Sequence, residues 1–271
     1  MCTVALILLP DGTLLGGMNR DERPIRQRGI APTLHQHSGV TALWPTDTDA
    51  GGTWMAATDQ GLLFFLLNHY QAAARWQPTA PLSRGSLIPS LIAARDLDQV
   101  DARLRSSPGA VIDRLRPFVL VAAHAVAHRP DHGATIAAQT WCWDGVNLVG
   151  ESASSPWLWT SSGVDPEAAH VARLAAWLPP RAGILAAPSR RHADSVLRAY
   201  FAGHRPERGP VSACMHRPEA NTVSHGRVHV DARRVAMCYT DGAPCETADG
   251  GWQTFARAPE SVVTTRNGID Q

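Results

Sequence analysis

A chain of 271 residues with 44% hydrophobic side chains carries enough apolar material for a real core, which argues against disorder as its dominant state. Lys and Arg number 25 against 24 Asp and Glu, a formal charge of +1, so no global field gathers polyanions or attaches the chain to an acidic membrane, and nucleic acid is not an expected partner. The five cysteines are dispersed and odd in number, with no CxxC pair, a pattern that favours a reducing compartment over a disulfide scaffold.

The first element opens at Cys2. Removal of Met1 would leave one residue holding both a thiol nucleophile and a free α-amine. A model α-amine titrates at about pH 7.7 to 8.0, suited to take the thiol proton and later protonate a leaving group. Cys2 is therefore the candidate nucleophile; the competing reading is a small hydrophobe at the start of a strand. Val4 to Leu9 and Thr13 to Gly16 read as β segments joined by a Pro10-Asp11-Gly12 turn. The apolar stretch ends at that turn and has no basic flank, so neither a signal peptide nor a membrane span is expected there. With the cysteine pattern, this gives a cytoplasmic expectation.

The return strand delivers Met18-Asn19-Arg20-Asp21-Glu22 to the Cys2 end of the hairpin. At about 3.3 Å of rise per residue on each arm, the Asn19 to Asp21 group can be a neighbour of Cys2. Arg20 or a backbone donor there would favour the thiolate, and Asp21 could orient the α-amine or a substrate cation. The alternative for this segment is a turn whose charges neutralise one another.

Gly51-Gly52-Thr53-Trp54 and the following residues to Ala57, the Asp59-Gln60-Gly61 turn, and Leu62 to Leu67 predict strand, turn, strand. The second strand is apolar on both faces, as in a sheet covered on both sides. The glycines fit neither a Walker loop nor GxGxxG. Asn68, at the strand end, either points its amide at a developing oxyanion or caps the strand.

Arg84 to Asp101 is predicted as one helix, with Val111 to Leu115 continuing helically after a break at Ser106 to Gly109. Phe118 to Ala127 resumes as a strand whose His124 and His128 are read as ordinary. Thr140 to Gly150 forms a hairpin about Asp144-Gly145, and Trp157 to Ser162 one more strand. Helices are predicted over Asp165 to Leu178, stopped by Pro179-Pro180, and over Ala193 to Phe201. A closing hairpin spans Thr222 to Thr240. Strands before and after a helical middle predict a layered α+β domain, one unit over residues 1–271 with no linker or repeat. Cys238 and Cys245 with His225 or His229 lack a recognised zinc spacing, so no metal is expected.

These residues together resemble the NRDE or TANGO2 (transport and Golgi organisation 2) family. The resemblance rests on Met1-Cys2, Asn19-Arg20-Asp21-Glu22, Gly51-Gly52-Thr53-Trp54, Leu67-Asn68 and Asn221-Thr222-Val223-Ser224, and runs over roughly positions 1 to 240. It implies a four-layer αββα sandwich of antiparallel sheets, similar to N-terminal-nucleophile (Ntn) hydrolases. A more distant likeness to the choloylglycine hydrolase and penicillin acylase group implies Cys2 as nucleophile, Asp21 as the aspartate near the amine and Asn68 as an oxyanion donor. Met18 stands where the bile-salt enzymes place an arginine, and Ser161 where they place an asparagine. Arg190, Arg191 or Arg198 would supply a late arginine.

The implied site is thus Cys2, Arg20, Asp21, Asn68 and Ser161, acting without a cofactor on a small acyl or amide substrate. The rival reading, also from the family, is a haem or lipid/acyl-CoA binding and trafficking protein without hydrolytic activity, holding a hydrophobic ligand. His35, His37, His69 and His225 would offer axial nitrogens, and Trp44, Trp54, Trp76 and Trp159 apolar planes. Neither reading includes integral membrane association.

Overall fold

In the first hairpin, alternate side chains go to opposite layers, and both sets are apolar. A computed structural model describes residues 2–77, 80–106, 109–129 and 133–259, without the side chains of 109, 110, 125–129, 133 and 134. Strand β1 (Cys2–Leu8) returns through the Pro10-Asp11-Gly12 turn as β2 (Leu14–Glu22). Val4, Leu6, Leu14 and Met18 point into the space between two sheets, while Ala5, Ile7 and Leu15 point outward under helices. Such a hairpin can only be a central, doubly covered element.

The remaining elements follow in order. They are β3 (Ile30–His37), β4 (Val40–Thr46), β5 (Met55–Thr58), β6 (Leu62–Asn68), α1 (Tyr70–Ala73), α2 (Leu87–Leu91), α3 (Leu97–Ser106) and α4 (Gly109–Ile112). Then come β7 (Phe118–Arg129), β8 (Gly133–Trp143), β9 (Leu148–Ser152), β10 (Leu158–Ser161), α5 (Pro166–Leu185) and α6 (Arg190–Phe201). The chain closes with β11 (His216–Arg217), β12 (Ala220–Val230), β13 (Arg234–Thr240) and β14 (Trp252–Ala256).

One sheet runs β10-β1-β2-β12-β13-β14, with β11 on β12, and the other runs β3-β4-β5-β6-β7-β8-β9. Every strand pairing is antiparallel. Between the sheets, Val4, Leu6 and Met18 meet Leu63, Phe65 and Leu67. On the outer face of the second sheet, Phe64 and Leu66 lie under Leu87, Ile88 and Leu91 of α2 and Val100 and Leu104 of α3. On the outer face of the first, Ala5, Ile7 and Leu15 lie under Trp177 of α5 and Leu197 and Phe201 of α6. This is the expected αββα sandwich.

Several local expectations need correction. Asn19 to Glu22 continues the return strand and the alternative turn does not form, because β12 pairs with it from Asn221↔Glu22 to His225↔Asn19. The single helix over Arg84 to Asp101 is divided into α2 and α3, since the Asp96 carboxylate takes the Gln99 N–H at 2.7 Å and starts a new helix. Helix α4 stops at Ile112, and Leu115 instead bridges to Leu82; residues 107 and 108 of the expected break lie outside the described residues. Pro179 and Pro180 do not end α5, which runs on to Leu185. Trp177 before them and Ile184 after them are both fully buried on the same sheet face, so packing outweighs the lost backbone bonds. The β3–β4 hairpin and β14 were not expected: β3 is mostly exposed, with neither the apolar run nor the apolar–polar alternation that marks a strand. No described helix is long and apolar enough to cross a membrane.

Candidate functional site

Antiparallel pairing sets Cys2 opposite Arg20 on one side and opposite Ser161 on the other. Directly paired residues share a face, so all three side chains point between the sheets. There a cleft of about 430 Å³ opens at the strand ends, lined by Cys2, Arg20, Asn68, Trp54, Arg84 and Glu22 among others. Cys2 is only 6% exposed, so substrate would reach its sulfur through this cleft. Burial pushes the thiol above its ordinary value, and the Asp21 and Glu22 charges push the same way. The Asp21 backbone N–H, hydrogen-bonded to the sulfur, opposes them.

Alternation along β2 gives the four motif residues two jobs. Arg20 and Glu22 face the cleft, where the Arg20 guanidinium lies 4.3 Å from the Trp54 ring centroid and 3.2 Å from Asp47 Oδ2. Glu22 lies 3.6 Å from Arg20 and 3.5 Å from Arg26. Asn19 and Asp21 face the helical layer instead. Asn19 Nδ2 donates to the carbonyls of Phe201 at 2.9 Å and Ala213 at 2.8 Å. Asp21 Oδ1 accepts the Thr222 hydroxyl at 2.6 Å, and Oδ2 lies 3.8 Å from Arg173 Nη2. Burial pushes the Asp21 carboxyl up while Arg173 pulls it down.

Arg173 is a neighbour of Cys2 that sequence reasoning missed. It is fully buried on α5, and its Nη1 donates to the Cys2 carbonyl at 3.2 Å. Its other donors reach the carbonyls of Ser212 at 3.1 Å, Val211 at 3.3 Å and Pro210 at 3.4 Å. The late arginines proposed for this role lie elsewhere. Arg190 bonds Asp231 at 2.7 Å, Arg198 bonds Asp249 at 2.9 Å, and Arg191 lines a separate pocket with Asp194 and His229.

Across the cleft, Asn68 Nδ2 donates to the Tyr70 hydroxyl at 2.7 Å, and burial pushes that phenol up to about 12, so it is neutral at pH 7. An amide NH₂ has two hydrogens, which leaves Asn68 a second donor. Arg84, also absent from the sequence-based site, sits in the wall with Nη1 donating to the Pro117 carbonyl at 3.3 Å. Burial lowers its guanidinium pKa, and the nearby Tyr70, Cys2 and Glu22 raise it. Ser161 has a buried hydroxyl with no hydrogen-bond partner. It sits beside Cys2 but is not part of the cleft lining. Gly52 makes the wall possible: its backbone meets that of Gly85, with Thr53 N–H donating to the Gly85 carbonyl at 2.9 Å.

The four histidines of the carrier reading do not line this cleft. His35 stacks on Trp44 at 3.7 Å, and His225 is buried on the helical side with Nδ1 3.2 Å from the Met18 carbonyl. His124 Nε2 lies 3.0 Å from the Gln60 carbonyl, while the His128 side chain lies outside the described residues.

The family model described as Transport and Golgi organisation 2 matches residues 1–155, more than half of the chain. The chain belongs to the TANGO2 family. No protein with a curated description matches it by sequence. Among solved structures, the TANGO2 chain is similar to the Cys-to-Ala variant of the conjugated bile acid hydrolase from Clostridium perfringens, at 11% identity and TM-score 0.51, over 94% of this chain and 92% of that one. It is also similar to the Caenorhabditis elegans orthologue of N-acylethanolamine-hydrolyzing acid amidase, at 9% identity and TM-score 0.50, over 84% and 92%. At such identities the likeness is one of fold, that of Ntn-hydrolase-like enzymes. In this TANGO2 member, Met18 is buried between the sheets rather than offering a charge. The cationic groups lining the Cys2 cleft come instead from Arg20, Arg26, Arg84 and Arg116.

Proposed function

We propose that this protein is an N-terminal cysteine amide hydrolase or acyltransferase for a small non-peptide substrate. The observation that carries the reading is the Cys2 side chain at the buried end of a cleft whose wall also presents Arg20 and the Asn68 amide. The names of two fold relatives, a conjugated bile acid hydrolase and an acid amidase, support it by analogy.

The mechanism starts once Met1 is removed. The α-amine of Cys2 takes the thiol proton, and the sulfur attacks the substrate carbonyl to form a C–S bond. The oxyanion that develops accepts a hydrogen bond from the spare Asn68 N–H, and the unpartnered hydroxyl of Ser161, paired with Cys2 beside the cleft, is the second donor. Collapse breaks the C–N bond as the α-ammonium returns its proton to the leaving amine, leaving a Cys2 thioester. Water, or an acceptor nucleophile in the transferase case, then releases the acyl group and restores the thiol. Asp21 and Arg173 act behind the reacting atoms: Arg173 holds the Cys2 carbonyl, and Asp21 keeps Arg173 in place. Arg84 and Arg116 have no carboxylate partner among the described residues, which favours a substrate bearing a negative charge.

The test is intact mass of the natively expressed chain before and after brief exposure to a panel of acyl amides and acyl thioesters, with Cys2→Ala as control. Loss of Met1 followed by a transient acyl adduct, absent from Cys2→Ala, is the expected result. A retained Met1 would overturn the free-amine mechanism. Ligand binding without adduct or turnover would favour the carrier reading.

A further inference from the structure

A second constellation lies behind the Cys2 strand, in loops that the proposed reaction does not use. His204 follows α6, Cys214 lies in the loop before β11, His216 lies in β11, and Cys245 lies in the turn after β13. One ligand atom from each falls within 4.8 Å of all the others. Cys214 Sγ is 3.4 Å from Cys245 Sγ, while His216 Nε2 is 3.5 Å from Cys214 Sγ and 3.3 Å from Cys245 Sγ. The His204 and His216 ring centroids are 5.1 Å apart, and His204 Nε2 is buried without a hydrogen-bond partner.

Zinc bonds sulfur at about 2.3 Å and imidazole nitrogen at about 2.0 to 2.1 Å, so a tetrahedron places two sulfurs about 3.8 Å apart and sulfur and nitrogen about 3.6 Å apart. The three closest ligand separations stand within a few tenths of an ångström of those edges. A disulfide would account for the two sulfurs alone and leave the convergence of two imidazoles unexplained.

We propose that His204, Cys214, His216 and Cys245 bind one zinc ion in a closed tetrahedral site of structural type. Binding releases the two thiol protons to solvent, and two thiolates balance the divalent charge. With Nε2 on the metal, His216 Nδ1 carries a proton. Arg208, now 3.2 Å from Nδ1 and paired with Glu246, is half-exposed and turns aside, so that the Glu246 carboxylate can accept that N–H. The ion clamps the loop between α6 and β11 to the turn after β13. The carbonyls of Pro210, Val211 and Ser212 in that loop hold Arg173, and that of Ala213 holds Asn19, so the metal fixes the frame on which Cys2 rests.

The experiment uses the reduced full-length protein. Elemental analysis after purification is expected to give one zinc per chain. After chelation, equimolar Co²⁺ is expected to give the visible bands of a tetrahedral thiolate site. Cys245→Ser should lose both signals, while Cys238→Ser, whose thiol donates to the Gly250 carbonyl instead, should keep them. Absence of zinc together with no cobalt spectrum in the reduced wild-type chain would overturn the proposal. So would a Cys214–Cys245 disulfide found by mass spectrometry in protein purified without reductant, with no metal taken up after reduction. Because the cobalt titration uses the wild-type chain, a variant that fails to fold leaves the decision intact.

Discussion

Cys2 has its sulfur on the cleft face of β1 with Arg20 and Glu22, while the Asp21–Arg173 pair lies on the helical face behind it. Because burial and nearby carboxylates push its thiol up, the resting form at neutral pH is the protonated one. Iodoacetamide should therefore label Cys2 more slowly at pH 7 than it labels an exposed cysteine, read by peptide mass. If the α-amine is the base, kcat/KM should rise with pH through about 7.7 to 8.0, the amine's range, as the amine loses its proton. Asn68→Ala should lower kcat by about a hundredfold or more if its spare hydrogen meets the oxyanion. An unchanged kcat would reduce Asn68 to a partner of Tyr70. Cys2, Arg20 and Asn68 were legible in the sequence because each sits where a strand ends and carries chemistry that a strand does not need. Arg173 was not: it is one arginine within an otherwise unremarked helix, and its burial follows only from the loop carbonyls that surround it.

At the scale of elements, two close contacts make local tests. A Cβ on Gly52 would lie 2.2 Å from the Gly85 carbonyl carbon, backbone against backbone, so Gly52→Ala should cost about 1–3 kcal/mol in urea unfolding and displace the Arg84 wall. On the β2–β12 pairing, burial lowers His225 to about 3, and the ring is neutral in the folded chain. The unfolded chain takes up a proton near pH 6.5 that the folded chain refuses. The His225 contribution is thus fully present above pH 6.5 and lost as pH falls toward 3, at about 1.4 kcal/mol per pH unit. His225→Gln should flatten that slope by about one proton in urea titrations between pH 6.5 and 4.5. The β1–β2, β5–β6 and β12–β13 hairpins were readable because turn residues bound apolar runs. The continuation of α5 through Pro179 and Pro180 was not, because local backbone rules are silent about Trp177 and Ile184 anchoring both halves.

Across the whole molecule, β1 and β2 receive β12 from the far end of the chain and α5 from its middle. The layered α+β class followed from apolar patterning, but which strands would be neighbours did not, since β12 finds β2 through contacts about 200 residues apart in sequence, such as Thr222 with Asp21. Arg173→Met removes the guanidinium beside the buried Asp21 carboxyl and the donor to the Cys2 and loop carbonyls, and should destabilise the chain by about 3–5 kcal/mol, measured by guanidinium unfolding. A loss below 1 kcal/mol would mean that the pair is not a structural tie. The seating of Cys2 between β2 and β10, under α5, also sets a clock. An aminopeptidase needs the terminus loose, yet β10 can close over β1 only after Ser161 has been synthesised. At about 5–20 residues per second, synthesis takes roughly 8 to 32 s to reach Ser161, so the proposed trimming of Met1 has at least that long while β1 still lacks its β10 neighbour.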